Sequence, residues 1–251
     1  MRRATLSLTL LVLMLAGASH AGAGGLDLRI GGFLPRARDC GVASGQPAEY
    51  TLFQDVCDLY VTANSDFVDG VAKKDFNGVY GGIEYNHVLM DNVEIGVHLD
   101  GYSRTVDTSY RGYTRPDESE IMQSLRLSVI PLGVSLRLVP TSKRARIAPY
   151  VGGGVDVVFY KYEEFGDFID FDDPTLPVIG DHFVGESAAF GYHALGGLRV
   201  YVNRDFAVVA EGRYQWAKDD MGDDFSPREP GLVNRIDLSG WTFTVGAHVR
   251  F

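Results

Sequence analysis

Hydrophobic and polar residues alternate along most of this chain, and the alternation is clearest at its end. Residues 241–251 read W-T-F-T-V-G-A-H-V-R-F, with an apolar side chain at every odd position. A period of two predicts a β-strand whose two faces meet different environments. The apolar face reaches Phe251, where a soluble chain usually frays in water, so the pattern predicts a lipid bilayer on that side.

The same alternation recurs often enough to define a closed sheet. It predicts eight strands, at 26–34, 76–87, 93–106, 121–138, 147–162, 188–202, 206–217 and 235–251. The connections after the second, fourth and sixth strands are short, and the others are long. Transmembrane barrels have short periplasmic turns and longer extracellular loops. We therefore predict an all-β fold, an eight-stranded antiparallel up-and-down transmembrane β-barrel.

The two faces of these strands differ in charge as well as in hydropathy. One face is aliphatic and aromatic, and the other carries most of the ionisable residues within the strands. A soluble lipocalin-like barrel would also alternate, with its apolar face inward. However, none of the five lysines falls on the polar face of a strand body, whereas a water-facing surface uses lysine freely. We therefore predict that the polar face lines the lumen.

The inward face predicts a network of paired charges. Its mixed signs suit a packed interior, whereas an ion-selective pore more often carries a ring of one sign. The predicted network consists of Arg29, Glu84, Glu94, His98, Asp100, Arg126, Asp156, His193, Arg199, Glu211, Arg213, His248 and Arg250. In the fourth strand the apolar positions change parity at Val129-Ile130-Pro131. Since proline cannot donate to a strand ladder, the sequence predicts a β-bulge there.

Aromatic residues on the apolar face fall into two groups. With the predicted topology, Phe159, Tyr192, Trp216, Trp241 and Phe243 lie near the outer rim. The residues near the periplasmic rim are Tyr85, Phe206 and Phe251. Two aromatic girdles around an aliphatic band are typical of a barrel that spans a bilayer.

The N-terminus predicts export. Arg2 and Arg3 precede an apolar run from Leu6 to Ala16, and small residues follow as far as Ala21. This order is typical of a cleaved secretory signal peptide, and the run is too short to span a membrane as a helix. We predict a signal peptide at 1–21 and one barrel domain at 22–251.

The composition limits the classes of molecule that the protein is expected to bind. The chain has 23 Lys+Arg and 33 Asp+Glu, and loss of Arg2 and Arg3 would leave a mature charge of −12. So acidic a chain is a poor candidate for nucleic acid. The only cysteines are Cys40 and Cys57, in one long loop. In an oxidising compartment they are predicted to form a disulfide, with two free thiols as the alternative.

Several stretches resemble the small outer-membrane β-barrels of Gram-negative bacteria, in the OmpA, OmpX and OmpW-like group. They are L-D-L-R-I-G-G-F at 26–33, the hairpin at 81–97, and V-I-P-L-G-V-S-L-R-L at 129–138 leading into 147–155. The resemblance implies a place in the bacterial outer membrane, among its lipids and lipopolysaccharide. It also implies that Trp241, Phe243 and Phe251 form a C-terminal signal read by the barrel-insertion machinery.

The predicted interior sets the expected function. An eight-stranded barrel is just wide enough for its inward side chains to fill it, so we predict a structural or surface-interaction role through the extracellular loops. The alternative, which the OmpW resemblance implies, is a narrow channel for small and even hydrophobic solutes. A lipid A-modifying enzyme is a further alternative, because His98 and Asp100 share a face. No convincing nucleophile accompanies them, so we predict no enzyme, cofactor or metal site.

The predicted loop from Glu163 to Ser187 is acidic and aromatic. It holds eight acids and no lysine or arginine. Clustered carboxylates are what Ca²⁺ requires, but the spacing does not match an EF-hand, and such acids are usually only solvated. Phe165, Phe168, Phe171 and Phe183 are interleaved with them. We expect these rings to fold over the barrel mouth, with an exposed binding surface as the alternative.

Overall fold

The computed structural model describes residues 24–36, 60–62, 71–141, 145–221, 225 and 235–251. The predicted signal peptide at 1–21, Cys40 and Cys57 lie outside the described residues, so cleavage and the disulfide remain predictions. Within the described ranges, no helix has both the length and the apolar character needed to cross a membrane.

The described residues form an antiparallel ring. The strands are β1 (Gly24–Pro35), β2 (Tyr60–Thr62), β3 (Gly78–Met90), β4 (Val93–Thr114), β5 (Glu120–Leu138), β6 (Ile147–Ile169), β7 (Val178–Tyr201), β8 (Phe206–Asp220), β9 (Arg235–Asp237) and β10 (Gly240–Arg250), and a short 3-10 helix covers Lys73–Phe76. Eight of them pair in the order β1-β3-β4-β5-β6-β7-β8-β10, and β10 also pairs with β1. The predicted eight-stranded up-and-down barrel is thus confirmed. The short strands β2 and β9 extend the sheet at β4 and β8.

The barrel closes where the last strand meets the first. β1 and β10 pair from Gly25–Arg250 to Pro35–Gly240, and Gly24 and Phe251 exchange two backbone hydrogen bonds of 3.0 Å. Closure leaves no strand edge in the bilayer, where an unpaired backbone group would be costly. Glycine is required at this seam, since a Cβ at Gly31 would lie 1.9 Å from the carbonyl oxygen of Phe243.

Several strands are much longer than the sequence predicted. β4, β6 and β7 contain 22, 23 and 24 residues, whereas a tilted transmembrane strand needs about 9–11. The prediction of a loop from Glu163 to Ser187 was wrong in its extent. The loop is much shorter, because β6 and β7 stay paired as far as Ile169 and Val178. The prediction failed because the outward positions become polar there while the period of two continues. Half of this wall therefore projects beyond the bilayer.

Strand β5 has no bulge at Pro131, so that prediction was also wrong. Its register is unbroken on both sides, from Leu99–Leu132 to Tyr102–Val129 with β4 and from Ile130–Phe159 to Pro131–Val158 with β6. Odd positions of β5 point inward and even positions outward along its length. The residue types change instead of the direction of the side chains. Below Val129 the inward residues include Ser135 and Arg137 and none that is aliphatic except Pro131, whereas above it Leu127, Leu125 and Ile121 point inward with only Gln123 polar.

The same inversion occurs in the neighbouring strands at the same level. Inward Asp100 is followed by Tyr102 on β4, and inward Asp156 by Val158 on β6. We call the resulting upper interior the apolar plug. It consists of Phe33, Val71, Phe76, Tyr80, Tyr102, Val106, Tyr110, Ile121, Leu125, Leu127, Val129, Val158, Tyr160, Tyr162, Phe168, Ile169, Ala189, Ala217, Met221, Ile236 and Leu238. In this part of the protein the apolar side chains point into the barrel, as they do in soluble barrels.

The outside of the projecting part is correspondingly polar. Hydroxyl and charged side chains pair across β4 and β5, as in the 2.9 Å contact between the Ser103 and Ser128 hydroxyls. Two outward pairs further up, the hydroxyl of Ser124 donates to Asp107 over 2.7 Å. Such cross-strand pairs suit a surface in water and would be poorly solvated in lipid. The upper limit of the bilayer therefore lies below Ser103 on this wall.

Candidate functional site in the barrel lumen

The lower lumen contains a dense cluster of buried charges. Three guanidinium groups converge on the carboxylates of Glu84 and Glu211. Arg137 Nη2 lies 2.6 Å from Glu84 and 2.8 Å from Glu211. Arg29 Nη1 lies 2.8 Å and 2.6 Å from the same two carboxylates, and Arg213 Nη2 lies 3.3 Å and 3.0 Å from them. Arrangements of this kind neutralise charges that burial would otherwise make very costly.

The cluster continues toward the periplasmic end through Asp27. Its carboxylate accepts from Asn86 Nδ2 at 2.8 Å and contacts His248 Nδ1 at 2.5 Å. Arg137 and Arg199 approach it at 3.4 Å and 3.6 Å. Arg199 also donates to Glu94 over 2.7 Å, which connects β7 to β4 across the lumen.

Tyr150 is packed between two of these guanidinium groups. Its ring centroid lies 4.9 Å from Arg137 and 5.0 Å from Arg199. Its hydroxyl donates to Glu211 over 3.0 Å. Stacking of guanidinium on an aromatic face adds cation–π attraction. Tyr150 therefore fills the space between the charges and also satisfies one of them.

A second, smaller cluster lies directly below the apolar plug. His98 Nε2 is 3.0 Å from one oxygen of Asp156, and His193 Nδ1 is 2.7 Å from the other. The two imidazole rings are 5.2 Å apart and nearly perpendicular. The sequence suggested Asp100 as the partner of His98, because the two residues share a face. His98 Nε2 is 3.9 Å from Asp100 Oδ2, so Asp156 is the closer partner.

Inward glycines make room for these long side chains. A Cβ at Gly96 would lie 2.2 Å from an oxygen of Glu84, and one at Gly82 would lie 2.0 Å from an oxygen of Asp100. Each glycine therefore opens the space that a charged side chain on a neighbouring strand occupies. This explains why glycine alternates with acids and arginines on the inward face.

The structure places most of the predicted network inside the barrel, with corrections at the edges. Arg126 lies on the outer wall, where its side chain is 42% exposed and 3.7 Å from Glu163. That prediction was wrong because β5 keeps its parity, so Arg126 points outward above the bilayer. Arg104 is exposed as well, although its even position on β4 is one that points inward lower in the strand. Arg250 lies at the periplasmic rim, over the ring of Tyr201.

Some contributors were missed because they are uncharged. Asn86 accepts from Arg137 Nη1 over 2.7 Å, and the Ser135 hydroxyl donates to Glu84 over 3.2 Å. Both occupy inward positions, as does Tyr150. The alternation of inward and outward positions along each strand was the signal that could have identified them.

Above the bilayer, the acids of the β6–β7 hairpin have local partners. Glu163 accepts from Lys161 Nζ over 2.8 Å and lies 3.2 Å from His182 Nε2. The hydrogen bond from Lys161 is the main reason that the pKa of Glu163 is lowered. At the turn, hydrogen bonds from Thr175 lower the pKa of Asp173. These carboxylates are explained without a bound cation.

The aromatic rings of the hairpin divide into two groups. Phe168 is buried in the apolar plug and meets Phe183 at 5.1 Å, edge to face. Phe171 is 46% exposed at the tip, 5.7 Å from the ring of Tyr113. Some rings therefore cover the barrel mouth as expected, and others remain on the surface.

The lipid-facing surface carries a continuous aromatic stripe near the upper edge of the apolar band. Tyr192 stacks on Trp216 at 5.0 Å, Tyr214 meets Trp216 at 4.5 Å and Trp241 at 4.9 Å, and Trp241 stacks on Phe243 at 5.7 Å. At the other end, Tyr85 stacks on Phe251 at 6.3 Å. These positions are typical of rings at membrane interfaces.

Comparisons with known proteins bear on the fold. No family model and no curated protein matches the chain. Among solved structures, the outer membrane protein OprG from Pseudomonas aeruginosa matches with a TM-score of 0.52, over 92% of this chain and 96% of that one, at 10% identity. Neisserial surface protein A (NspA) matches at 0.44, with 12% identity over 92% and 98% of the chains. AlkL matches at 0.42, with 16% identity over 92% and 90%.

The match to OprG establishes the fold. This chain has the fold of the small eight-stranded outer-membrane β-barrels, as the resemblance in its sequence indicated. Identity at this level says nothing about ligand or activity, which must be argued from the chain's own residues.

Proposed function

We propose that this protein resides in the Gram-negative outer membrane as a non-conducting barrel and acts at the cell surface through its projecting part. Its apolar band and aromatic stripes fit the outer-membrane lipids and lipopolysaccharide as surroundings. Trp241, Phe243 and Phe251 face outward on the closing strand, where the barrel-insertion machinery could read them during assembly.

The filled lumen is the observation that carries this proposal. Arg137 and Glu84 are fully buried, and Leu125 and Leu127 are fully buried above them. Charges in the lower half pair with one another, and apolar side chains pack together in the upper half. A solute would have to displace both layers, so this interior favours a structural role over the alternative of a narrow channel.

Electrical measurements test the closed lumen. We expect the purified barrel in planar lipid bilayers to give no reproducible single-channel steps across the range of voltages that the bilayer tolerates. An established porin, inserted under the same conditions, is the positive control. Regular steps from several independent preparations would contradict the proposal and favour the channel.

The tip of the projecting part offers a surface for interaction. Tyr113, Phe171, Leu176, Val178 and Ile179 are all exposed there, with Ile179 at 45%. Exposed apolar residues grouped in this way often mark interaction sites. We call this group the apolar tip. Acids adjoin these residues in the hairpin sequence, among them Asp170, Asp172 and Asp181, so a partner with apolar and basic groups fits it best.

Removing the apolar tip should reduce adhesion. Cells that express the protein are expected to adhere to bare and to polylysine-coated polystyrene several-fold more than cells with an empty vector. The double substitution Phe171→Ser with Ile179→Ser should return adhesion to the vector level at equal surface expression. Thr105→Ala, on the side of the projecting wall, should have no effect. Equal adhesion of all strains would exclude a role for the tip.

We also propose that the protein is not an enzyme. The inward histidines contact carboxylates: His98 and His193 face Asp156, and His248 faces Asp27. A hydrolase of the lipid A type would instead need a histidine beside a nucleophile. The contacts observed support histidines held within the polar interior.

A further inference from the structure

The cluster of His98, Asp156 and His193 differs from the rest of the lumen in its charge balance. Glu84, Glu94, Asp100, Glu211 and Asp27 each lie within 4.0 Å of at least one arginine. Among the described residues, Asp156 forms ion pairs only with the two imidazoles. Asp156 is 2% exposed, His98 1% and His193 3%. An ionised carboxylate buried this deeply requires a positive charge beside it, from a protonated imidazole or from a bound cation.

The hydrogen bonds of the cluster are incomplete. Both nitrogens of His98, Nε2 of His193 and Oδ1 of Asp156 are buried and make no well-formed hydrogen bond. His98 Nε2 and Asp156 Oδ1 are 3.0 Å apart, but they are poorly aligned, so this contact is at most a weak hydrogen bond. Buried polar atoms without partners are rare, and several of them around one point call for a specific explanation.

Three strands bring these side chains together across a glycine. Gly133 on β5 pairs with His98 of β4 on one side and with Asp156 of β6 on the other. Because Gly133 has no side chain, the two neighbours can meet above it. A Cβ at Gly133 would lie 1.9 Å from Asp156 Oδ1 and 2.6 Å from His98 Cε1. His193 reaches the same point from β7, which pairs with β6.

We propose that this cluster binds a divalent transition-metal ion of the zinc class. Two imidazoles and one carboxylate form a ligand set that suits Zn²⁺ and its first-row neighbours, whereas Ca²⁺ and Mg²⁺ prefer oxygen ligands alone. The ion supplies the positive charge that Asp156 requires and engages imidazole nitrogens that lack partners. With three ligands from the protein, a water molecule completes a four-coordinate site.

The present geometry is close to what such an ion needs. One ligand atom from each of the three residues lies within 4.8 Å of the others. Zinc bound at about 2.0–2.2 Å to each would hold them roughly 3.3 Å apart, so no separation has to shorten by more than about 1.5 Å. The charges of Asp100 and Arg213 nearby are paired with each other at 3.3 Å. Arg213 is therefore engaged by Asp100, and the bound ion neutralises Asp156.

Metal retention by the full chain tests the site. The barrel is folded in detergent with Zn²⁺, weakly bound metal is removed with a mild chelator, and zinc per protein is measured by mass spectrometry. We expect one ion per wild-type barrel. Asp156→Asn and His98→Gln should weaken zinc binding by more than about 100-fold, since removal of a supporting residue alone costs about 10–100-fold.

His248→Gln provides the matched control. His248 is also a buried lumen histidine beside a carboxylate, at the opposite end of the network, and its loss should leave zinc retention unchanged. Circular dichroism and the shifted migration of folded barrels in unboiled electrophoresis verify that each variant folds. If a variant fails to fold, X-ray absorption of the wild-type zinc protein decides, because two imidazole ligands give a characteristic scattering pattern.

Three results would overturn the proposal. The first is a folded wild-type barrel that retains no zinc after exposure to it. The second is zinc held equally by the wild type, Asp156→Asn and His98→Gln, and the third is zinc held without imidazole ligands.

Discussion

Replacing Arg137 with alanine should lower the free energy of unfolding by about 3–5 kcal/mol, the cost of leaving buried charges without their partner. Arg137 is fully buried and contacts Glu84, Glu211, Asp27 and Asn86. The remaining arginines cannot replace all of its contacts, because Arg29 and Arg213 already contact Glu84 and Glu211 and extend to Asp100 instead of Asp27.

Unfolding of the barrel by urea in lipid vesicles measures this effect, and Arg126→Ala is the matched control. Arg126 is on the same strand but points outward into water, 42% exposed, so its loss should change stability by less than about 0.5 kcal/mol. A small and equal effect of both substitutions would mean that the lumen is hydrated and the ion pairs are weak. The filled interior would then be wrong.

Leu127→Ala should destabilise the barrel by about 2–5 kcal/mol, as expected when a buried leucine is truncated in a packed core. Leu127 is fully buried within the apolar plug. If the upper lumen were an open vestibule, this side chain would contact water and its truncation would cost little.

Met122→Ala is the control for this second experiment. Met122 lies on the same projecting part of β5, but it faces outward and is 45% exposed. Its truncation should stay within about 0.5 kcal/mol. Equal effects for Leu127 and Met122 in the same urea titration would contradict a packed plug. They would also remove the main support for a closed lumen.

The alternation of residues was sufficient to predict the barrel itself. The apolar positions of β10 and the polar positions beside them identified both faces of the closing strand, and the short turns located the periplasmic end. These features depend on local periodicity, which the sequence displays directly. The OmpA-like and OmpW-like resemblance pointed to the same fold.

The inversion above the bilayer cannot be recognised from the sequence of β5 alone. In β5 a change of parity at Pro131 has two physical explanations, a bulge or a change of environment on both faces. A bulge would affect one strand. The steps from Asp100 to Tyr102 and from Asp156 to Val158 repeat the change at the same level, and together they indicate a change from lipid to water.

Partners within the lumen were harder to predict than positions. His98 and Asp100 point the same way on one strand, yet residues two apart in a strand are well separated along it. His98 instead meets Asp156 from two strands away, over Gly133. Such a contact depends on the absence of a side chain in the intervening strand and on the register of both pairings. No pattern within a single segment contains that information.

The reversal of polarity along β4, β5 and β6 has a consequence for engineering this scaffold. The projecting part already has an apolar interior and a polar exterior. It could therefore be grafted onto another barrel with the same number of strands without redesign of its surface. The junction of such a chimera belongs at Tyr102, Val129 and Val158. At this level inward positions change from polar to apolar, and outward positions change from apolar to polar. Libraries randomised across that level would need opposite rules above and below it.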